Sequence, residues 1–208
     1  MKLLFIIGMH RSGTSVLTSY IETLGYNIGK NRNQDKDWQN PKGYWENNSF
    51  THFHDNLLLK YNNLNWSNVN NKDLRYTKNH VKEYSNLIKK EFESEKIVIK
   101  DPRLSFFVDF LLDVSKELQA DIKFIFVTRN KEECTISLNK AQNLNLEACK
   151  KLFDISMSCY RDNMLKICYN NFLQNNLLCR EKICEYLKEE DSNINKIDLN
   201  LYRNKNLF

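Results

Sequence analysis

Short apolar runs recur along the chain, and each is followed at once by polar or charged residues and then by a pattern typical of a helix. The runs span residues 3–7, 97–99 and 124–127. Runs of this length, rich in β-branched and aromatic residues, are typical of buried strands, and parallel strands joined by crossover helices alternate in this way. The sequence therefore predicts an α/β fold in which helices flank a parallel sheet, formed as a single domain over residues 1–208.

The pattern also predicts where several helices begin and end. After the first run, apolar residues recur at the spacing of one helical face, at Val16, Leu17, Tyr20, Ile21 and Leu24. We expect this helix to begin near Gly13 and to end at Gly25, since glycine is common just past a helix C-terminus. Further along, residues 146–187 carry a pattern that predicts two helices joined near residues 170–176.

One long segment lacks hydrophobic patterning. No aliphatic residue occurs between Lys30 and Gly43, where polar and charged residues accompany Trp38. The far end of the segment, NPKGYWEN, is abruptly aromatic. We predict that residues 30–70 form a loop or lid.

Charge and cysteine usage narrow the class of protein. Thirty-one Lys and Arg residues against 26 Asp and Glu residues give a net charge of +5, spread along the chain. This suits an anionic ligand but is too diffuse to indicate nucleic-acid binding. The six cysteines lie in the second half without a C-x-x-C pair, so we expect reduced, mostly buried thiols and neither a zinc site nor a disulfide framework.

The first apolar run is the only part of the chain that resembles a targeting segment. It ends after five residues and no small-residue cleavage site follows, so we interpret it as a strand rather than as a signal peptide. No stretch approaches the ~20 apolar residues that span a bilayer. The sequence predicts a cytoplasmic protein with no stable membrane anchor, and it carries no indication of oligomeric state.

The most informative stretch is GMHRSGTS, residues 8–15, between the first strand and the first helix. It has the frame of a phosphate-binding loop, G-x-x-x-x-G-K-[ST], but Thr14 stands where lysine is expected. A glycine-bounded turn before a helix directs backbone N–H groups and the positive end of the helix dipole at one spot, which binds an anion. Arg11 can supply positive charge from within the loop.

Charged residues also follow the other two predicted strands. Lys100, Asp101 and Arg103 follow the second strand, and a lysine beside that aspartate competes with a metal ion, so we expect no metal there. Arg129 follows the third strand, and Ser137 lies two turns into the next predicted helix, where it can share a phosphate with Arg129. The three sites share one edge of the predicted sheet, where α/β proteins bind ligands.

These residues resemble the motifs of the sulfotransferase superfamily, P-loop proteins that transfer a sulfuryl group from 3′-phosphoadenosine 5′-phosphosulfate (PAPS) without a metal. The 5′-phosphosulfate loop of that family carries Lys or Arg followed by Ser-Gly-Thr-[ST], matched here by Arg11, Ser12, Gly13, Thr14 and Ser15. Its 3′-phosphate motif is Arg with Ser eight residues later, matched by Arg129 and Ser137. The end of the chain resembles that of bacterial members, which implies that Arg203 reaches the 3′-phosphate.

The loop arginine and the Lys-Asp-Pro sequence resemble tyrosylprotein and bacterial sulfotransferases more than the cytosolic phenol and steroid enzymes. The resemblance implies that Arg11 and Lys100 stabilise charge during transfer. Cytosolic members place a catalytic histidine where Pro102 stands here, whereas members with an arginine loop use a glutamate after the first helix, which implies Glu46 as the general base. The alternative bases are His52, His54 and Asp101. Many relatives stack adenine on a tryptophan where this chain has Val16, so the stacking residue is not identified.

Two other functions fit parts of the pattern. A P-loop nucleotide or small-molecule kinase could use Arg11 in place of the lysine and Asp101 for magnesium. A catalytically inactive relative could hold the nucleotide without a base. For a sulfotransferase the acceptor is a hydroxyl or an amine, which the lid would select, and a carbohydrate or small metabolite fits a cytoplasmic chain better than a tyrosine of a secreted protein.

Overall fold

The computed structural model of this chain describes residues 1–36, 43–69, 74–174 and 176–191, and all structural statements refer to these residues. Four parallel strands form one sheet in the order β2-β1-β3-β4. The strands are β1 (Lys2–Ile7), β2 (Lys96–Lys100), β3 (Asp121–Thr128) and β4 (Leu165–Cys168). The predicted α/β architecture with a parallel sheet is therefore confirmed.

Eight α-helices and two short helical segments are present among the described residues. The α-helices are α1 (Thr14–Thr23), α2 (Asn48–Asn56), α3 (Lys78–Glu91), α4 (Val108–Leu118), α5 (Lys131–Gln142), α6 (Leu146–Met157), α7 (Tyr169–Gln174) and α8 (Asn176–Leu187). A π-helical turn, Leu57–Tyr61, continues α2, and a 3-10 turn, Pro102–Phe106, follows β2. None of the helices in the described part of the chain is long and apolar enough to cross a membrane.

The prediction of two helices over residues 146–187 is wrong in two respects. Residues 165–168 form the edge strand β4, which pairs with β3 from Ile125 opposite Leu165 to Thr128 opposite Cys168. Four residues, LKIC, are too few to show a period of two, and pairing with residues forty positions earlier is invisible to local patterning. The predicted junction near residues 170–176 falls largely within α7, and the described residues of this region form three helices, α6, α7 and α8.

Alternation along β1 divides the core into two layers. Leu3, Phe5 and Ile7 face the cluster formed with α3, α4 and α6, whereas Leu4 and Ile6 face the cluster formed with α1 and α8. Successive strand side chains point to opposite faces, so a strand that is apolar at every position must be covered on both sides. The six cysteines are free thiols and five of them are buried.

Parallel pairing brings the carboxyl ends of all four strands to one edge of the sheet. Gly8 follows β1, Asp101 follows β2, Arg129 follows β3 and Tyr169 follows β4. Open α/β sheets bind ligands at this edge because the loops there are free to carry polar groups. Lys100, Asp101, Arg103 and Arg129, singled out in the sequence, therefore lie along one edge of the sheet.

Candidate active site

The loop of residues 8–15 is packed closely enough that its glycines cannot be replaced. A Cβ on Gly8 would lie 2.7 Å from the Val127 carbonyl oxygen and 2.8 Å from Ser12 Oγ. Gly13 has a φ of +99°, and a Cβ there would lie 2.1 Å from the ring of Tyr169. The absence of a side chain at Gly13 therefore lets the Tyr169 ring pack directly against the backbone before α1.

Two buried polar atoms of this loop have no hydrogen-bond partner among the described residues, His10 Nε2 and Ser12 Oγ. A buried polar group without a partner costs about 1–3 kcal/mol, so such groups are usually satisfied by a ligand or water. Burial, and then the charge of Arg103, lower the pKa of His10 to about 3. His10 is thus a neutral imidazole, and its ring lies 4.3 Å from that of Trp66. His10 Nε2 and Ser12 Oγ are therefore candidates for hydrogen bonds with a ligand.

Arg11 and Arg129 connect the phosphate loop to α5. Arg11 Nε donates to Ser137 Oγ at 3.2 Å, and Arg129 Nη1 donates to the Arg11 carbonyl oxygen at 3.1 Å. Ser137, expected to share a phosphate with Arg129, is buried and accepts a hydrogen bond from Arg11. Both predicted phosphate motifs therefore lie side by side, joined through Arg11.

Sequence reasoning missed two residues that fix Arg129. Glu133 accepts a hydrogen bond from Arg129 Nε at 3.0 Å, and the ring of Tyr169 lies 5.0 Å from the guanidinium carbon of Arg129. Tyr169 also covers Gly13. The signal for Tyr169 was its place directly after a strand end, but that strand was itself not predicted.

Lys100 and Glu46 meet at the end of β2. Lys100 Nζ donates to Glu46 Oε1 at 2.6 Å, to the Tyr44 carbonyl oxygen at 3.0 Å and to Ser15 Oγ at 3.2 Å. The Lys100 side chain is 2 % exposed and that of Glu46 is 12 % exposed. One lysine thus joins the phosphate loop, the strand end and the segment that carries the predicted base.

The segment before α2 holds Glu46 in place through its backbone. Asn33 N–H donates to the Glu46 carbonyl oxygen at 2.7 Å. Asn47 caps α2 by accepting from Ser49 N–H at 2.9 Å, and its own amide donates to Glu91 at 2.9 Å. A capped helix start and a buried amide therefore fix the residue next to Glu46.

Burial raises the pKa of Glu46 above its ordinary value, although the Lys100 ammonium opposes the shift. A carboxyl group whose pKa is raised toward neutrality is suited to take a proton. Trp45, the residue before Glu46, donates its indole N–H to Glu22 at 3.1 Å, and its ring lies 5.3 Å from the guanidinium carbon of Arg32.

Two of the alternative bases, His54 and Asp101, are completely buried. His54 is fully buried, with Nδ1 2.8 Å from Asp101 Oδ2 and Nε2 3.1 Å from the Tyr84 hydroxyl. Asp101 is also fully buried and accepts from the backbone and side chain of Arg103, at 2.9 Å each. The side chain of Asp101 thus contacts both Arg103 and His54. His52 on the same helix is exposed.

Burial alone would raise the pKa of Asp101, but the Arg103 guanidinium, together with hydrogen bonds from His54 and the Arg103 backbone, outweighs burial and holds that pKa far below its ordinary value. Asp101 is therefore ionised, and both of its carboxylate oxygens accept hydrogen bonds.

No group of three or more His, Cys, Asp or Glu residues that could hold a metal ion occurs in the described ranges. Trp38 and Arg203, both singled out in the sequence, lie outside the described residues.

Two solved structures share this fold. The sulfotransferase domain from the Synechococcus PCC 7002 olefin synthase superposes with a TM-score of 0.58 and 16% identity, over 92% of this chain and 74% of that one. The sulfotransferase domain from the curacin biosynthetic pathway superposes with a TM-score of 0.54 and 12% identity, over 91% of this chain and 75% of that one. No protein-family model and no curated protein matches the sequence. The fold of this chain is that of sulfotransferase domains.

Proposed function

We propose that this protein is a sulfotransferase that moves a sulfuryl group from PAPS to a hydroxyl or amine. The observation that carries the proposal is the contact of Lys100 with both Glu46 and Ser15, because it joins a buried carboxyl of raised pKa to a phosphate loop. The fold shared with two sulfotransferase domains supports it. The acceptor class we favour is a carbohydrate or small metabolite, in the cytoplasm.

On the donor side, the residues present fit a nucleotide bearing a phosphosulfate and a 3′-phosphate. Residues 11–15 would hold the 5′ end, and Ser12 Oγ, which has no partner among the described residues, would gain one there. Arg129 and Ser137 would hold the 3′-phosphate beside them, with Arg203 as a further candidate. Arginine is suited to this task because its planar fork matches phosphate oxygens.

On the acceptor side, Glu46 would take the proton of the acceptor hydroxyl as its oxygen bonds to sulfur. The bond between sulfur and the bridging phosphate oxygen breaks, and its electron pair leaves with the phosphate. Arg11 and Lys100 would stabilise the charge that develops on that oxygen. Because the phosphate of PAPS is already a good leaving group, the proposed site needs only a base for the acceptor and positively charged side chains for the leaving oxygen.

The state of Asp101 favours sulfuryl transfer over a kinase reaction. A P-loop kinase needs a carboxylate after the central strand that is free to hold magnesium. Both oxygens of Asp101 are engaged, Oδ1 by Arg103 and Oδ2 by His54, and the residue is fully buried. The contact of Glu46 with Lys100 likewise disfavours the second alternative, a catalytically inactive protein that binds the nucleotide without a general base.

A thermal-shift comparison tests the class of nucleotide. We expect adenosine 3′,5′-bisphosphate and PAPS to raise the melting temperature and ATP with magnesium to leave it unchanged. The Arg129→Ala variant should lose the shift with the bisphosphate. Lys131→Ala is the matched control, because it removes a neighbouring positive charge whose partner is Asp154. A shift with ATP and magnesium alone would overturn the proposal.

A further inference from the structure

A buried chain of hydrogen bonds connects α2 with the strand end that carries Lys100. His54 on α2 contacts Asp101, the residue after Lys100, through Nδ1 at 2.8 Å. Its other nitrogen contacts the Tyr84 hydroxyl of α3 at 3.1 Å. The side chains of His54 and Asp101 are both 0% exposed, so this contact contributes nothing to the surface and cannot meet a ligand directly.

The chemistry of the partners fixes the direction of these bonds. An ionised carboxylate can only accept, so the Nδ1 of His54 must carry a proton toward Asp101. Burial, and then the charge of Asp101, hold the pKa of Tyr84 well above its ordinary value, so its hydroxyl keeps its proton and can donate to Nε2. Each ring nitrogen of His54 therefore has one defined partner.

A second, outer contact joins the same two elements. Arg103, two residues beyond Asp101, donates from Nε and Nη2 to the two carboxylate oxygens of Asp55, at 2.7 and 3.1 Å. Asp55 follows His54 on α2, and its side chain is half exposed. The strand end is thus attached to α2 twice, inside through His54 and at the surface through Asp55.

These contacts run parallel to the contact between Glu46 and Lys100. Glu46 lies two residues before the start of α2, and Lys100 directly precedes Asp101. Asn47 caps α2 and so ties Glu46 to the helix. The helix and the strand end that carry the two reactive groups are therefore the same two elements that His54 holds together.

A polar pair at this position is not needed for packing. The imidazole lies among aromatic rings, with centroids 5.7 Å from Phe107, 5.5 Å from Tyr84 and 6.2 Å from Phe53. Apolar residues of similar volume often replace buried ion pairs without loss of stability. We therefore infer that the His54–Asp101 pair serves to fix the distance between the two residues rather than to stabilise the fold.

We propose that His54 is a positioning residue, which acts through Asp101 to hold Lys100 at hydrogen-bond distance from the carboxylate of Glu46 during transfer. The inference rests on the proposed function. It predicts that the hydrogen bond to Asp101 matters for turnover, whereas the hydrogen bond to Tyr84 does not.

Two amide substitutions separate these bonds. In His54→Asn the amide nitrogen replaces Nδ1 and can donate to Asp101, whereas in His54→Gln it replaces Nε2 and reaches Tyr84 instead. Both variants keep a polar side chain in the aromatic cluster, so their effects on folding should be similar. Lys60→Gln, in the π-helical turn that continues α2 and exposed to solvent, is the control.

The measurements are kcat for sulfuryl transfer, the dissociation constant of adenosine 3′,5′-bisphosphate, the melting temperature, and hydrogen exchange of the backbone amides of residues 47–50. We expect H54Q to lower kcat about tenfold, roughly the loss of one charged hydrogen bond. Exchange at residues 47–50 should accelerate, and bisphosphate affinity should stay within about twofold, because the donor loop is untouched. H54N should retain most of the activity and protection.

Equal kcat in H54N and H54Q, or equal loss of kcat and bisphosphate affinity in both, would overturn the assignment. If wild-type protein does not bind the bisphosphate, the proposed function fails. Hydrogen exchange then still decides whether the bond to Asp101 fixes the start of α2. If H54Q does not fold, Asp55→Asn replaces it, since it weakens only the outer contact. That variant should raise exchange at residues 47–50 less than twofold while His54 is present, and a larger increase would assign the positioning to Asp55.

Discussion

On the donor side of the cleft, the loop of residues 8–15 offers backbone N–H groups and a buried Ser12 hydroxyl that has no partner within the described ranges. On the acceptor side, Glu46 is bound to Lys100, and Asp101 is bound to Arg103 and His54. On the proposed donor side a buried hydroxyl is thus left for a ligand to satisfy, whereas the charged groups on the proposed acceptor side pair with one another. We infer that the donor contributes most of the ionic binding and that the acceptor needs only a hydroxyl or amine.

The largest expected effect comes from Glu46→Gln, which keeps the side-chain shape but removes its ability to take a proton. Transfer should fall by about 10²–10⁴-fold, the usual contribution of a general base. In the wild type, transfer should be lost as pH falls through the pKa of Glu46, which burial raises, and this acidic limb should be absent in the variant. Initial rates across pH measure both. If Glu46→Gln lowered bisphosphate affinity as much as it lowered transfer, Glu46 would be a donor-binding residue, and the contrast between the two sides would not hold.

Lys100→Met tests whether charges on the acceptor side depend on one another. Removal of the ammonium leaves Glu46 nearly buried without its ion-pair partner, so the free energy of unfolding should fall by about 3 kcal/mol at pH 7, the low end for a broken buried pair because Glu46 can take up a proton. Urea denaturation measures this loss. The double variant Lys100→Met, Glu46→Gln should recover most of it, and no recovery would mean that the lysine stabilises the protein through Ser15 or Tyr44 instead.

The same comparison shows which parts of the candidate site can be predicted from the sequence. The donor loop was predictable because its glycines and Arg11 lie within eight consecutive residues, whose spacing alone determines the turn. The sheet and the three longer strands were predictable because apolar runs signal buried strands. The position of Glu46 beside Lys100 was implied only by resemblance, since 54 positions separate the two residues.

Contacts between elements that are distant in the chain could not be predicted from the sequence. His54 on an amphipathic helix could be a base or a packing residue, and only the contact of α2 with the turn after β2 makes it a buried partner of Asp101. Tyr169 was missed because β4 has too few residues for a pattern. Ser137 was expected to act with Arg129, and helical spacing could not show that Arg11 donates a hydrogen bond to it.

A pair of glycine variants tests the close packing of the donor loop. Gly13→Ala would place a methyl group into the Tyr169 ring at a φ of +99°, so the free energy of unfolding should fall by about 2 kcal/mol or more and bisphosphate binding should be lost. Gly25→Ala has a similar φ of +88° but meets nothing within 4 Å, so only the backbone cost of about 1 kcal/mol applies. Equal losses in denaturation would contradict the contact between the loop and Tyr169.

A smaller effect is expected from the neutral imidazole of His10. Its pKa is lowered to about 3 in the folded protein, so the unfolded chain takes up the proton first as pH falls below the ordinary value of 6.5. Stability from this group is therefore complete above pH 6.5 and lost below it, by about 1.4 kcal/mol between pH 7.5 and pH 5.5. Denaturation at the two pH values should show this difference in the wild type. A His10→Asn variant that keeps the full difference would show that His10 is not its source.

The most direct test of the account is calorimetric titration with adenosine 3′,5′-bisphosphate and adenosine 5′-monophosphate, which differ only in the 3′-phosphate. Since Arg129 would make charge-assisted hydrogen bonds to that group, the wild type should prefer the bisphosphate by about 10–100-fold. Arg129→Ala should lose most of this preference, and Lys131→Ala should keep it. Equal affinities of the wild type for the two nucleotides would contradict the donor site on which the proposed function depends.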